Sequence, residues 1–249
     1  ALYRITYVGT ESTNPAPIDL EGRTERTVRR HLESYHGIQH ESAVGEAWGH
    51  LADQDRAIRY AARIALEWQD VSTWRERALA EKDPRTAIAA IAALARASTT
   101  GTSYKPQTVQ LPNRELQSRM LETLGRLDWS QLSDADQIDL ARTYTLVFTR
   151  TGPPDDATRK SLASKFEQAF PARTKEANGL LARLLVYLQA EGAPAKLVAA
   201  IRTAPSQQEQ IDYALQLRLQ RTGWTVPLRE EYFRWFIDAY ADDRGGNFF

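Results

Sequence analysis

Cysteine is missing from this 249-residue chain, which excludes disulfides, thiolate metal sites, iron–sulfur clusters and a cysteine nucleophile. Net charge is missing as well, because 32 basic residues meet 32 acidic ones. A domain that grips nucleic acid through its phosphates normally carries a basic excess, so only a local basic face remains open to that function. No apolar run approaches the ~18–20 residues that a membrane-spanning helix needs. The sequence has no glycine-rich phosphate loop, no G-x-S-x-G elbow and no H-E-x-x-H pair. Its doubled carboxylates, Asp155-Asp156, Glu230-Glu231 and Asp242-Asp243, are sequence neighbours. Neighbours on a helix do not face one another, so none of these pairs forms an acid–base dyad. Ala1 in place of Met is what a processed or excised piece of a longer protein would show.

What the chain has is helical periodicity. In residues 51–66, LADQDRAIRYAARIAL, Ile58, Ala61, Ala62, Ala65 and Leu66 fall on one face of an α-helix. Asp53 and Asp55 stand where a helix start favours a capping oxygen and negative charge. Leu51 closes a preceding helix. Slid by 28 positions, the stretch falls on residues 79–94, LAEKDPRTAIAAIAAL: Leu51 on Leu79, Asp55 on Asp83, Ala61 and Ala62 on Ala89 and Ala90, Leu66 on Leu94. Asp83-Pro84 is a strong start, with Asp as N-cap and Pro at the first helical position. A helical pair cannot bury its own apolar stripe, so its repetition predicts stacked pairs, an all-α solenoid.

Along the chain, residues 1–8 alternate Leu2, Arg4, Thr6 and Val8 against Tyr3, Ile5 and Tyr7 and predict one short strand. With no partner strand, residues 1–20 are expected to be an extended arm lying on the helices, or the end of an upstream β domain. Helices are predicted over residues 21–35, 43–52, 58–68, 72–79, 84–97, 114–127, 133–150, 174–189, 194–201, 206–220 and 226–240. A further one, capped by Asp155 or Asp156, buries Leu162, Phe166 and Phe170. Ser133-x-x-Asp136 and Ser206-x-x-Glu209 have the capping-box spacing. The expected stripes include Ile211, Ala214 and Leu215, and then Phe233, Phe236, Ile237 and Tyr240. About six irregular pairs thus fill residues 21–241, with an insertion loop at 98–113 and a linker at 242–249 toward a further segment. A non-repetitive helical bundle is the competing architecture.

Candidate functional residues are few. All four histidines, His31, His36, His40 and His50, lie within twenty residues. They are either helix-end and turn side chains or a metal-binding module, since imidazole suits zinc, copper and nickel. Arg29, Arg30, Arg59 and Arg63 could line a groove for an acidic partner. The six tryptophans sit beside helix stripes or helix ends, which predicts packing; one left at the surface, such as Trp48, would mark an interface.

Leu51, Asp53, Asp55, Ile58, Arg59, Ala62, Ala65 and Leu66 match the pattern L-x-D-x-D-x-x-(V/I)-R-x-x-A-x-x-A-L. Here the chain resembles the HEAT-like repeats of the PBS-lyase type. The second copy departs from the pattern, with Thr86 at the isoleucine position and Ala87 at the arginine position. The resemblance implies a ladder in which Arg59 pairs with turn aspartates, Asp53, Asp55 or Asp83. It implies an architecture and no particular activity.

A wider resemblance runs through ALYRITYVG, RTVRRHLESYHG, DRAIRYAARIALE, VFTRTGPPDDATR, QIDYALQLRLQRTGWT and EYFRWF. It is similar to the helical segment of large exported proteins of the planctomycete type, between a sorbosone-dehydrogenase-like propeller and a c-type cytochrome module. That similarity implies a non-catalytic scaffold, without cofactor, that docks or spaces redox domains in the periplasm. The alternative is a nucleic-acid binder like the HEAT-fold DNA glycosylases, supported by the arginine-rich helix at 21–35 and nearby tryptophans.

Overall fold

The computed structural model describes residues 2–15, 22–98 and 113–241. The described chain is all-helical. Twelve α-helices run in order: α1 (Arg23–Glu33), α2 (Ala43–Gly49), α3 (Arg56–Glu67), α4 (Arg75–Ala80), α5 (Pro84–Ala97), α6 (Arg114–Gly125), α7 (Asp134–Thr151), α8 (Asp156–Ala169), α9 (Lys175–Tyr187), α10 (Ala193–Thr203), α11 (Gln207–Leu217) and α12 (Val226–Ala241). Single 3-10 turns at Val71–Thr73 and Trp129–Gln131 precede α4 and α7.

Capping side chains fix the starts. Asp55 Oδ1 accepts from the Ala57 and Ile58 amides, Asp83 Oδ2 from the Thr86 amide and hydroxyl, and Asp155 Oδ1 from the Thr158 amide. Ser133 and Ser206 cap α7 and α11 through the amides of Asp136 and Glu209. Each cap satisfies a donor that the helix itself leaves unpaired, worth about 1 kcal/mol.

The odd-numbered helices form one row: α1 packs on α3, α3 on α5, α5 on α7, α7 on α9 and α9 on α11. The even-numbered helices lie behind, α2 on α3, α4 on α5, α6 on α7, α8 on α9 and α10 on α11. The substantial contacts all join helices no more than two apart in chain order. Polar ties link the even row where packing is thinner. Lys165 Nζ of α8 donates to the carbonyls of Gly125 and Leu127 at the end of α6, and Glu167 Oε1 accepts from the Gly192 amide that opens α10. The apolar core runs unbroken from Leu32 to Tyr232, and the predicted stripe of α3 is buried in full.

Three expectations change. Residues 2–8 form no strand, and Leu2, Tyr3, Ile5 and Val8 stand exposed rather than on the helices. The expected stripe of α12 faces outward, with Phe233 60% and Ile237 68% exposed. Tyr232 is instead the buried residue, its hydroxyl donating to the Ala214 carbonyl, while the Trp235 indole donates to Gln210. In α11 the buried positions are Tyr213, Ala214 and Leu217, and Leu215 is exposed. The insertion loop lies almost wholly, and the 242–249 linker entirely, outside the described residues. No described helix is long and apolar enough to cross a membrane.

Candidate interaction groove

Burial of one face of each odd helix dictates what the opposite face presents. With its apolar stripe turned inward, α3 leaves Arg56, Tyr60 and Arg63 outside. Helix α5 buries eight residues and leaves Arg85, Ala89, Ala92 and Arg96, at i, i+4, i+7 and i+11, along its free side. Helix α7 contributes Ala135, Ile138, Asp139, Arg142 and Leu146. Since α3, α5 and α7 are side by side, the two small alanines in the middle make a trough between taller neighbours. Its volume is about 580 Å³.

Six arginines line it: Arg56, Arg59, Arg63, Arg85, Arg96 and Arg142. Arg85 makes a two-pronged bond to Asp136, Nε to Oδ1 at 2.8 Å and Nη2 to Oδ2 at 3.2 Å. Burial works to raise the Asp136 pKa, but the hydrogen bond from Arg85, the Ser133 hydroxyl and the charges of Arg85 and Arg59 hold it below the ordinary carboxylate value. Arg63 and Arg96 share the single carboxylate of Glu67. Arg142 approaches Asp139 at 3.4 Å on the surface. Among the described residues Arg59 donates only to carbonyl oxygens, those of Asp53 at 2.7 Å and Gln54 at 3.0 Å. Arg56 has no hydrogen-bond or ion-pair partner among the described residues. Tyr60 is 60% exposed, with the Arg63 guanidinium 5.2 Å from its ring centroid.

Comparisons with protein-family models, with curated proteins and with solved structures found no match to the chain. Its functional residues are therefore read from geometry.

The implied ladder takes a different form. The Asp53 carboxylate accepts from the Asp55 amide and from His50, while Asp55 and Asp83 are consumed as caps. Arg59 thus ties down the turn before α3 through its carbonyls. Ion pairs between successive odd helices come instead from Arg96–Glu67 and Arg85–Asp136. Of the residues expected to line a groove, Arg59 and Arg63 do so. Arg29 pairs with Glu33 within α1, and Arg30 stands exposed on that helix. Trp48 is 6% exposed; its indole donates to Glu81 at 3.0 Å and the Arg77 guanidinium covers its ring, so it is a wedge between α2 and α4.

The histidines do not converge. His31 meets Glu46, His36 meets the Ala61 carbonyl, His40 meets Ser42 and His50 meets Asp53. Among the described residues no group of three or more His, Cys, Asp or Glu side chains is placed to hold a metal ion.

A second depression, of about 600 Å³, continues the same side across α7, α9 and α11. Phe148 and Tyr187 stack in it with centroids 5.2 Å apart, beside Leu219, Arg183 and Arg221. Arg142, Leu146 and Thr149 share one face of α7, and Leu146 of the first depression lies within one turn of Thr149 of the second, so the two adjoin along that helix. Sequence reasoning passed over Arg85, Arg96, Arg142 and Tyr60. The i, i+11 spacing of Arg85 and Arg96 around Ala89 and Ala92 was the available signal, since those four share a face on a helix whose other positions, Thr86 apart, are apolar.

Proposed function

We propose that this chain is an irregular α-solenoid of HEAT-like helical pairs, a non-catalytic scaffold that holds other polypeptides on the side of its odd-numbered helices. One observation carries this: the substantial helix contacts join elements no more than two apart in order. A bundle around one shared centre brings the first and last helices together, whereas a stack of pairs is quasi-one-dimensional and leaves a long side free. That side holds two adjoining depressions, one basic and one aromatic. Their side chains suit contact with polypeptide, because arginine, tyrosine and other aromatics carry much of the binding energy at interfaces.

The wider sequence resemblance supports placing this scaffold between a propeller and a cytochrome module of an exported redox protein, and hence in the periplasm. Size-exclusion chromatography of the chain mixed with separately produced propeller and cytochrome domains tests the reading. The expected result is a stoichiometric complex with at least one of them. Absence of any complex, together with turnover by the isolated chain, overturns it.

A further inference from the structure

We propose that the trough over α3, α5 and α7 takes an acidic linear segment of a partner protein, its carboxylates spaced at alternate residues. This rests on the scaffold reading and names the chemistry of the partner. The charge count points there first. Six guanidiniums line the trough and bond directly to three carboxylates, Glu67, Asp136 and Asp139, while the charges of Asp53 and Asp83 act on Arg59 and Arg85 from the turns outside it. The surplus is localised: Arg56 is unpaired among the described residues, Arg59 is bound only to carbonyls, and Glu67 neutralises one of the two guanidiniums it holds. In a chain with no net charge, this is a built patch and not a reflection of overall composition. Arginine also presents a planar fork that grips a carboxylate through two parallel bonds.

Dimensions match a short extended peptide. Neighbouring helix axes are ~8–10 Å apart, so the three helices span about 16–20 Å, the length of five or six extended residues. Alternate side chains of an extended segment point the same way, about 7 Å apart. Acidic residues at alternate positions of such a segment come within reach of Arg56 and Arg59 on α3, the Arg63–Arg96 pair and Arg142 on α7 while the backbone lies over Ala89 and Ala92. A nucleic acid fits less well. Its phosphates form a continuous line of charge, and in this trough Asp136 and Asp139 interrupt the arginines. Discrete side-chain carboxylates can pass between those aspartates.

Fluorescence anisotropy with the intact chain tests the proposal, using a labelled hexapeptide of alternating Glu and Ser. A Lys-Ser hexapeptide and a thymidine 15-mer serve as competing chemistries. The double variant Arg56→Glu, Arg142→Glu changes two exposed side chains that support no core packing, and Arg30→Glu on α1 is the control outside the trough. The expected result is binding of the Glu-Ser peptide that weakens at least tenfold in the double variant, stays within twofold in R30E and falls with added salt. Unchanged circular dichroism and melting confirm that both variants fold. No binding at millimolar peptide, binding indifferent to the double charge reversal, or tighter binding of the thymidine oligomer each overturns the proposal. A complex with the propeller or cytochrome domain that survives the double reversal also overturns it, and leaves the scaffold reading standing.

Discussion

Gln69 gives the sharpest test of how the helical pairs are joined. It follows α3 and is 5% exposed. Its Oε1 accepts from the His40 amide at 2.9 Å, and its Nε2 donates to the carbonyls of Ile38 and Ala65, each at 3.0 Å. One amide side chain thereby fastens the turn between α1 and α2 to the end of α3. Gln69→Leu keeps similar bulk and removes all three bonds. Each neutral hydrogen bond contributes about 0.5–1.5 kcal/mol net, and a buried group left unpaired costs about 1–3 kcal/mol. The Ile38 and His40 groups are only partly buried, so water relieves part of that cost and the loss comes to about 2–4 kcal/mol. For a chain of this size 1 kcal/mol corresponds to about 2–4 °C in melting temperature, which puts the expected drop at about 4–16 °C. The quasi-one-dimensional contact pattern adds a spatial requirement. Amide hydrogen exchange should speed up in α1, α2 and the start of α3, and stay unchanged in α9 to α12. A melting temperature within 1 °C of wild type, or protection lost evenly along the chain, would refute this account of the joint.

Other outcomes follow from single features. The Tyr144 hydroxyl is buried, with no hydrogen-bond partner among the described residues, beside Phe148 and Phe166, so Tyr144→Phe should leave thermal stability unchanged or raise it by about 1 kcal/mol; a clear loss in calorimetry would reveal a hidden partner. Gly223 has φ +74°, and a Cβ there would lie 1.9 Å from the Glu191 carbonyl oxygen, so Gly223→Ala should cost more than the about 1 kcal/mol of ordinary glycine replacement, seen as faster exchange in α11 and α12. The Asp136 carboxyl is held below its ordinary value of 3.8. Its contribution is therefore fully present above that value and is lost as pH falls through the lower folded-state value. Melting temperature measured from pH 6 down to pH 2.5 should fall more steeply for wild type than for Asp136→Asn, and parallel curves would remove Asp136 from the account.

Helix positions were legible because periodicity and caps agreed. Asp83-Pro84 and the Ser133 and Ser206 boxes mark starts that the structure uses, each through its own hydroxyl or carboxylate. The stripe of α3 was legible for the same reason: only one face of that helix is apolar. Helix α12 offers two apolar stripes that both fit helical periodicity, Phe233-Phe236-Ile237-Tyr240 and Leu228-Tyr232-Trp235. Periodicity cannot choose between them. Polar atoms do, since the Tyr232 hydroxyl and the Trp235 indole find acceptors only when the second stripe turns inward. The arm at 2–8 carries a strand-like alternation but meets no edge to pair with, and propensity without a partner makes no strand.

The groove was harder to read because its residues are spaced along three helices, and adjacency between α3, α5 and α7 is a property of the tertiary packing. Arg63 could be singled out from one helix alone. Its significance depends on Arg96 sharing Glu67 from the next helix, a relation between residues 29 apart that mirrors the 28-residue offset of the repeat. The same offset explains why the ladder took another form. Where the first copy has Arg59, the second has Ala87, and the cation of α5 is carried by Arg85, two positions earlier. From there it reaches forward and bonds to Asp136 at the start of α7. The departure from the repeat thus turns a contact within one pair into a clamp between pairs. Arg59, in the first copy, donates to the carbonyls of its own turn, and its charge acts on the Asp53 and Asp136 carboxylates without a direct bond to either.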